Sequence, residues 1–198
     1  MGWRCWRQLL RTTGDITDTW GSMSSIGFGQ AGHEKFAKPG NWNDPDMLVV
    51  GKVGWGPKLH PTRLAPSEQY THITLWSLLC SPLLIGCDMT QLDDFTLSLL
   101  TNDEVIEVNQ DPLGQAAGRV TQDGQKEVWA KKMEDGSHAI GLFNRGQVET
   151  EVTVKWSDLG LSGSHKVRDL WRQQDLGKFK DSYTIRVRRH GAAMIRVW

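Results

Sequence analysis

Around residues 109–118, NQDPLGQAAG, the apolar pattern of the chain changes its period, and one kind of sheet cannot serve both sides of that change. Ahead of it the apolar runs are short and unbroken, MLVV at 47–50 and LLI at 83–85, with helical stretches between them. Unbroken runs of that length suit parallel strands covered by helices on both faces. Behind it, β-branched and aromatic runs are separated by DG, NRG and DLG turns, the pattern of antiparallel hairpins. The fold class that follows is α/β plus all-β, with a β/α front over residues 1–115 and an antiparallel β-sandwich over 116–198.

The front offers a helix starting near Asp15 or Thr17, with Ile16, Trp20 and Met23 at helical spacing. A polar, glycine-rich loop follows over 27–41, then a buried strand at 47–50. A second helix, capped by Ser67 and closed by Pro82, carries Tyr70, Ile73, Leu75, Trp76, Leu78, Leu79 and Cys80 on a broad apolar side. A strand at 83–85 leads to a helix from near Asp93, which breaks at Thr101 and Asn102 and resumes through Val105 and Ile106. In the tail, strands are expected at 127–131, 139–143, 149–156, 165–170, 183–187 and 193–198, resting on a core of their own. The front has only two clear strands and a degraded one near its start. So small a parallel sheet reads as the end of a longer β/α array, and its open edge invites self-association.

Lysine plus arginine equal aspartate plus glutamate, 23 against 23, so no long-range basic field exists to attract nucleic acid or an anionic membrane. No apolar run approaches the roughly 18 residues of a membrane span. The opening MGWRCWRQLL has neither the apolar core nor the cleavage site of a signal peptide, which leaves the compartment open. Cys5, Cys80 and Cys87 are too few for a disulfide scaffold, and SPLLIG, if extended, holds the last two about 20 Å apart, so they read as buried thiols. There is no HExxH, no CxxC pair, no calcium-loop pattern and no phosphate-cradling glycine motif. No metal and no cofactor is therefore expected. Ten tryptophans serve mainly as core, Trp42, Trp55 and Trp76 included, with stacking on flat sugars or bases as the other use.

Five aspartates of the front fall on loops: Asp15, Asp18, Asp44, Asp46 and Asp88. In β/α architectures ligands bind outside the carboxyl ends of the strands, which makes a carboxylate-lined site the leading expectation. Two chemistries use such a site. Glycoside hydrolysis pairs a proton donor with a second carboxylate, and divalent-metal hydrolysis would use Asp15, Asp44 and Asp46 as oxygen ligands, with His33 or His72. Each residue also has a structural reading. Asn43 to Asp46 can be a turn, Asp15 a helix cap, Asp18 a solvated first-turn acid, and His72 a residue of a helix interior.

RTTGDITDTWGSM, GNWNDPDMLVVG, SEQYTHITLWSLLCSPLLIGCDM and NDEVIEVNQDPLG, in that order, resemble the C-terminal half of the melibiase-type α-galactosidases, a family that includes α-N-acetylgalactosaminidases. The tail resembles that family's β domain by position and pattern. The resemblance implies a (β/α)8 barrel followed by an antiparallel domain, and retaining hydrolysis of terminal α-D-galactosyl groups on an oligosaccharide or glycoconjugate. It makes Asp15 the general acid/base, Arg11 a sugar-holding residue, and Asp46 and Met47 the lip of the galactose pocket, with Trp42 and Asp44 supporting pocket or loop. It also implies a nucleophilic aspartate in a K-x-D segment of an earlier strand, which this chain does not contain before Asp15. About the last three β/α units remain, and the parent enzyme would be secreted or lysosome-like. The chain alone is expected to be inactive. The alternative from another class is a non-catalytic carbohydrate-binding or structural β-domain fragment.

Overall fold

A computed structural model describes residues 8–54 and 56–198, so the readings made for Cys5 and Trp55 lie outside the described residues. The front begins with strand β1, Gln8–Arg11, paired in parallel with β2, Asn41–Asp44, from Gln8 opposite Asn41 to Arg11 opposite Asp44. The ladder expected at 47–50 is reduced to one parallel bridge between Leu48 and Ile85, and the strand expected at 83–85 is likewise only that bridge. Its hydrogen bonds run from Leu48 N–H to the Leu84 carbonyl and from Gly86 N–H to the Leu48 carbonyl. The reason lies in where the other backbone groups go. Val49 N–H donates to His72 Nε2, and the Val49 carbonyl accepts from Thr62 Oγ1, so side chains satisfy what a neighbouring strand would have satisfied.

Helix α1, Trp20–Phe28, starts later than its apolar spacing suggests, because Thr19 caps it by accepting from Ser22 N–H. Asp15 therefore stands in the loop ahead of the helix and caps nothing. A short hairpin, β3 (Lys52–Val53) with β4 (His60–Pro61), precedes α2, Pro66–Leu78. Ser67 is not the cap of α2. Pro66 holds the first helical position, and Glu68 Oε2 accepts from Ala65 N–H at 2.8 Å. The helix stops before Cys80, whose φ of 52° is left-handed. Helices α3, Asp94–Leu100, and α4, Asp103–Gln110, are capped by Asp93 and Asn102, with the break at Thr101 and Asn102 that the sequence indicates.

In the tail, β5 (Gly118–Asp123), β6 (Lys126–Lys132), β7 (His138–Asn144), β9 (Ser164–Asp169), β10 (Gln174–Lys180) and β12 (Ala192–Val197) form an antiparallel sheet in the order β10-β9-β12-β7-β6-β5. The pair β8 (Thr150–Lys155) and β11 (Ser182–Val187) covers one face through Val152, Val154, Tyr183 and Val187. Strands β5 and β10 were not anticipated. They are the two edges of the sheet, and GRVTQD and QDLGKFK carry the polar and charged residues by which exposed edges avoid further pairing.

The expectation of a separate tail core holds for one face of the sheet. From the other face Trp129, Phe143 and Met194 join Leu75, Trp76 and Leu78 of α2 in a single cluster. Helix α2 is thus buried on nearly every side, with α1 and α4 against it as well as β7 and β12. Contact with α1 is closest at Gly27, where a Cβ would come within 2.6 Å of Trp76 Cζ3 and 2.7 Å of Leu75 Cδ2. Gly27→Ala is accordingly expected to destabilise the protein by about 1–3 kcal/mol through overpacking, against the roughly 1 kcal/mol that alanine gains in an open helix. Urea unfolding of the two proteins measures the difference, and a stabilised variant would contradict this packing. Among the described residues, no helix is long and apolar enough to cross a membrane.

Candidate functional site

Parallel pairing brings the carboxyl ends of β1 and β2 side by side, and with them residues 11–16 and 44–47. Thr12 N–H donates to the Asp44 carbonyl at 3.0 Å, continuing the pairing one step beyond the ladder. Asp44 Oδ1 then accepts from Asp46 N–H at 2.9 Å around Pro45, an Asx-type turn. This places Asp46 at a φ of 82°, a left-handed conformation that aspartate tolerates better than most residues.

That turn aims the Asp46 carboxylate back at β1. Its Oδ2 accepts from Ile16 N–H at 2.7 Å and from Arg11 Nη2 at 2.5 Å, and its Oδ1 accepts from Met47 N–H at 2.8 Å. The Asp46 carbonyl accepts from Trp76 Nε1 at 2.7 Å. Arg11 Nη2 also donates to Asp15 Oδ1 at 3.1 Å. One guanidinium therefore bridges two carboxylates of opposite character: the Asp46 side chain is 12% exposed and fully engaged, whereas that of Asp15 is 100% exposed. The arrangement can present a free carboxyl group at a fixed place while the charge beside it is neutralised.

Arg11, Asp15, Asp44 and Asp46 are thus brought together, and Met47 joins them through its backbone. Met47 lines a cavity of about 510 Å³, together with Ile16, one residue past Asp15, and with Asp18, His60, Arg63 and Asp88. Trp42, on β2 two residues before Asp44, lays its indole rim against Gly114, where a Cβ would come within 2.7 Å of it.

Asp18 corrects its reading as a solvated acid. It is buried, accepting from Arg63 Nη2 at 2.5 Å, Arg63 Nε at 3.1 Å and Arg63 N–H at 2.9 Å. Burial works to raise its carboxyl, but the hydrogen bonds and charge of Arg63 outweigh burial and hold it below the usual carboxylate range. Nothing in TRLAP signalled this partner, which is 45 residues away. Asp88 caps the turn at 89–91, and hydrogen bonds from Thr90 and then Gln91 hold its carboxyl low.

For the metal reading, Arg11 stands between Asp15 and Asp46, where a cation would have to sit. Among the described residues, no group of three or more His, Cys, Asp or Glu side chains is gathered to hold an ion. His72 is enclosed in α2 and spends Nε2 on Val49, and the backbone carbonyl of His33 accepts from Asn43 Nδ2 of β2.

Comparison with known proteins supplies two family matches. The family described as Alpha galactosidase A matches residues 3–111, and the one described as Alpha galactosidase C-terminal beta sandwich domain matches residues 123–197. Alpha-galactosidase 2 of Arabidopsis thaliana is 40% identical over 93% of this chain and 45% of its own length. The alpha-galactosidase of Cyamopsis tetragonoloba is 39% identical over 93% of this chain and 43% of its own. Among solved structures, a GH27 β-L-arabinopyranosidase from Geobacillus stearothermophilus has a TM-score of 0.89 at 33% identity, covering 96% of this chain and 44% of that one. Alpha-galactosidase I from Mortierella vinacea gives 0.87 at 28% identity, covering 96% and 52%. The chain spans less than half the length of these curated relatives.

Proposed function

We propose that this chain, which belongs to the alpha galactosidase A family, is the proton-transferring part of a retaining glycosidase that removes terminal α-D-galactosyl groups from oligosaccharides or glycoconjugates. The observation that carries the reading is the Arg11 bridge between a buried, fully engaged Asp46 and a freely exposed Asp15 at the carboxyl ends of parallel strands. In this reading Asp15 is the general acid/base, protonating the glycosidic oxygen and later taking a proton from water. Arg11 fixes the Asp15 carboxyl and offers its remaining donors to the sugar. Asp46 positions both, and Met47 forms the wall beside them.

Retention needs a second carboxyl group about 5–5.5 Å from the first, free to attack the anomeric carbon. Neither neighbour is free. Asp46 has both oxygens hydrogen-bonded, and Asp44 is tied to the turn by Asp46 N–H. The nucleophile belongs, on this reading, to barrel strands that adjoin the parallel segments. Leu9, Leu10, Leu84 and Ile85, which are 42–56% exposed on those segments, support such neighbours. The core shared between α2 and the sheet argues against a β domain acting by itself.

Two arms of one experiment test the proposal. The purified chain is expected to leave an aryl α-galactoside uncleaved, as is Asp15→Asn. Co-expression with the N-terminal barrel portion of the Cyamopsis tetragonoloba relative is expected to restore turnover, and Asp15→Asn to lower it by about 10²–10⁴-fold. Restored turnover that ignores Asp15 removes it from the acid/base role, and turnover by the chain alone shows that a second carboxylate has been recruited.

A further inference from the structure

One face of the tail sheet is covered by α4 along part of its length. The helix is held there by two ion pairs, Arg168 of β9 with Glu104 and Arg196 of β12 with Glu107. Strand alternation puts Lys166, two residues before Arg168, and Trp198, two residues after Arg196, on that same face. Register then sets them in one row. Lys166 N–H donates to the Trp198 carbonyl and Trp198 N–H to the Lys166 carbonyl, both at 3.2 Å, and Lys178 of β10 stands opposite Lys166. Three adjacent strands thus present Lys178, Lys166 and Trp198 side by side along a groove of about 710 Å³, and no residue of α4 lines it.

The row is unfavourable as it stands, because like charges directly across a ladder repel. No carboxylate among the described residues pairs with either lysine: Asp175 pairs with Arg168, and Asp135 with Arg196 and the Trp198 indole N–H. A lysine on an edge strand guards against further pairing. That accounts for Lys178 on β10 but not for Lys166, since β9 has a strand on each side. Trp198 adds a ring that is 44% exposed, with the Arg196 guanidinium 5.3 Å from its centroid. Two unpaired ammoniums beside an exposed indole complement a ligand that carries an anion next to an apolar face. No second aromatic side chain lines the groove to sandwich a flat aromatic anion, whereas the C–H face of a sugar ring needs only one. The Ser164 hydroxyl and the second Asp175 oxygen, which also line the groove, are suited to sugar hydroxyls.

We propose that the row of Lys178, Lys166 and Trp198 binds an acidic saccharide, a sugar bearing a carboxylate or a sulfate group. The ring lies on the Trp198 indole and the anion sits between the two ammoniums, which removes their mutual repulsion. Binding here involves no turnover, so it stands or falls separately from the acid/base reading of Asp15.

The test titrates the isotope-labelled full chain by NMR at low salt with two acidic sugars, trigalacturonate and galactose 6-sulfate. Their neutral counterparts, galactotriose and galactose, and sodium sulfate alone are run beside them. At least one acidic sugar is expected to shift the Trp198 indole N–H and the Lys166 and Lys178 amides saturably, at least about fivefold more tightly than its neutral counterpart. The tighter of the two identifies the anion, carboxylate or sulfate. Lys166→Gln and Lys178→Gln should each weaken binding by about 2- to 10-fold, and added salt should weaken it further. Trp198→Ala should also weaken it by about 2- to 10-fold, through lost stacking. The lysine variants remove a repulsion, so they are expected to melt no lower than the native chain and remain informative if Trp198→Ala does not fold. Several results overturn the proposal: no saturable shift in the row with either acidic sugar, equal affinity for the neutral sugar, or sodium sulfate shifting the row as strongly. Tighter binding of adenosine monophosphate than of both acidic sugars, or lysine variants that bind as the native chain does, overturns it as well.

Discussion

Lowering the pH from 7 to 4 is expected to cost the folded protein about 3 kcal/mol through a single side chain, His72. The residue is fully enclosed in α2, its ring edge-on to Trp76 with centroids 4.2 Å apart. Nε2 accepts from Val49 N–H at 3.1 Å, so the neutral ring carries its proton on Nδ1, which has no hydrogen-bond partner. Burial pushes the imidazole down to about 3, since charging it would place an uncompensated cation in the core and abolish the acceptor that Val49 uses. The unfolded chain takes up the same proton near 6.5. Between those two values the unfolded state binds more protons, so stability falls as pH falls; above about 6.5 neither state is protonated and the contribution is flat. Over the whole window the loss approaches about 5 kcal/mol, at roughly 1.4 kcal/mol per unit. His138 is also held low, first by burial, and acts with the same sign. The diagnostic quantity is therefore the difference between native protein and His72→Gln, whose amide oxygen can still accept from Val49. Urea unfolding at pH 7, 5.5 and 4 should show a clearly flatter dependence in the variant. Parallel curves would mean that His72 is not the group being titrated.

His72 also shows what could be read from the sequence and what could not. That it lies in a helix is legible, because the apolar spacing from Tyr70 to Leu79 spans it. That Val49 hangs from its ring is not, because MLVV reads as a strand by composition alone, and only the three-dimensional neighbourhood assigns its amides to side chains. Helix starts at Asp93 and Asn102 were legible because cap and capped amide lie within three residues. The Asp18 pair with Arg63 was not, its partners being far apart in the chain. Strands β5 and β10 escaped because edge strands are chosen for polarity, which erases the pattern that reveals interior ones. At the site, motif resemblance singled out Arg11, Asp15 and Asp46. The division of labour between an exposed and a buried carboxylate depends on the turn at Pro45 and on a tryptophan 30 residues further on, and no local signal carries it.

That tryptophan is where core stability and site geometry meet, and two substitutions should separate them. Trp76→Ala removes the largest side chain from a helix packed on nearly every side, in contact with Gly27 of α1 and with His72, and is expected to cost about 3–5 kcal/mol. Trp76→Phe keeps most of the volume but deletes the Nε1 donor, leaving the Asp46 carbonyl unpaired in a buried place, at about 1–3 kcal/mol. The second variant is the more informative. Asp46 is held in a left-handed conformation by that bond at one end and by Asp44 at the other, and its carboxylate in turn holds Ile16 N–H, Met47 N–H and Arg11. Loosening one anchor should raise amide hydrogen exchange at Ile16 and Met47 by about 5- to 150-fold, one factor of ten for each 1.4 kcal/mol lost locally. Exchange at Leu142, in the middle of the sheet, should change only as far as global stability does. Equal acceleration at all three amides would mean that Trp76 acts on the fold as a whole. Selective acceleration at the first two would mean that the position of Asp15, which Arg11 takes from Asp46, is set from inside the protein by the indole of α2.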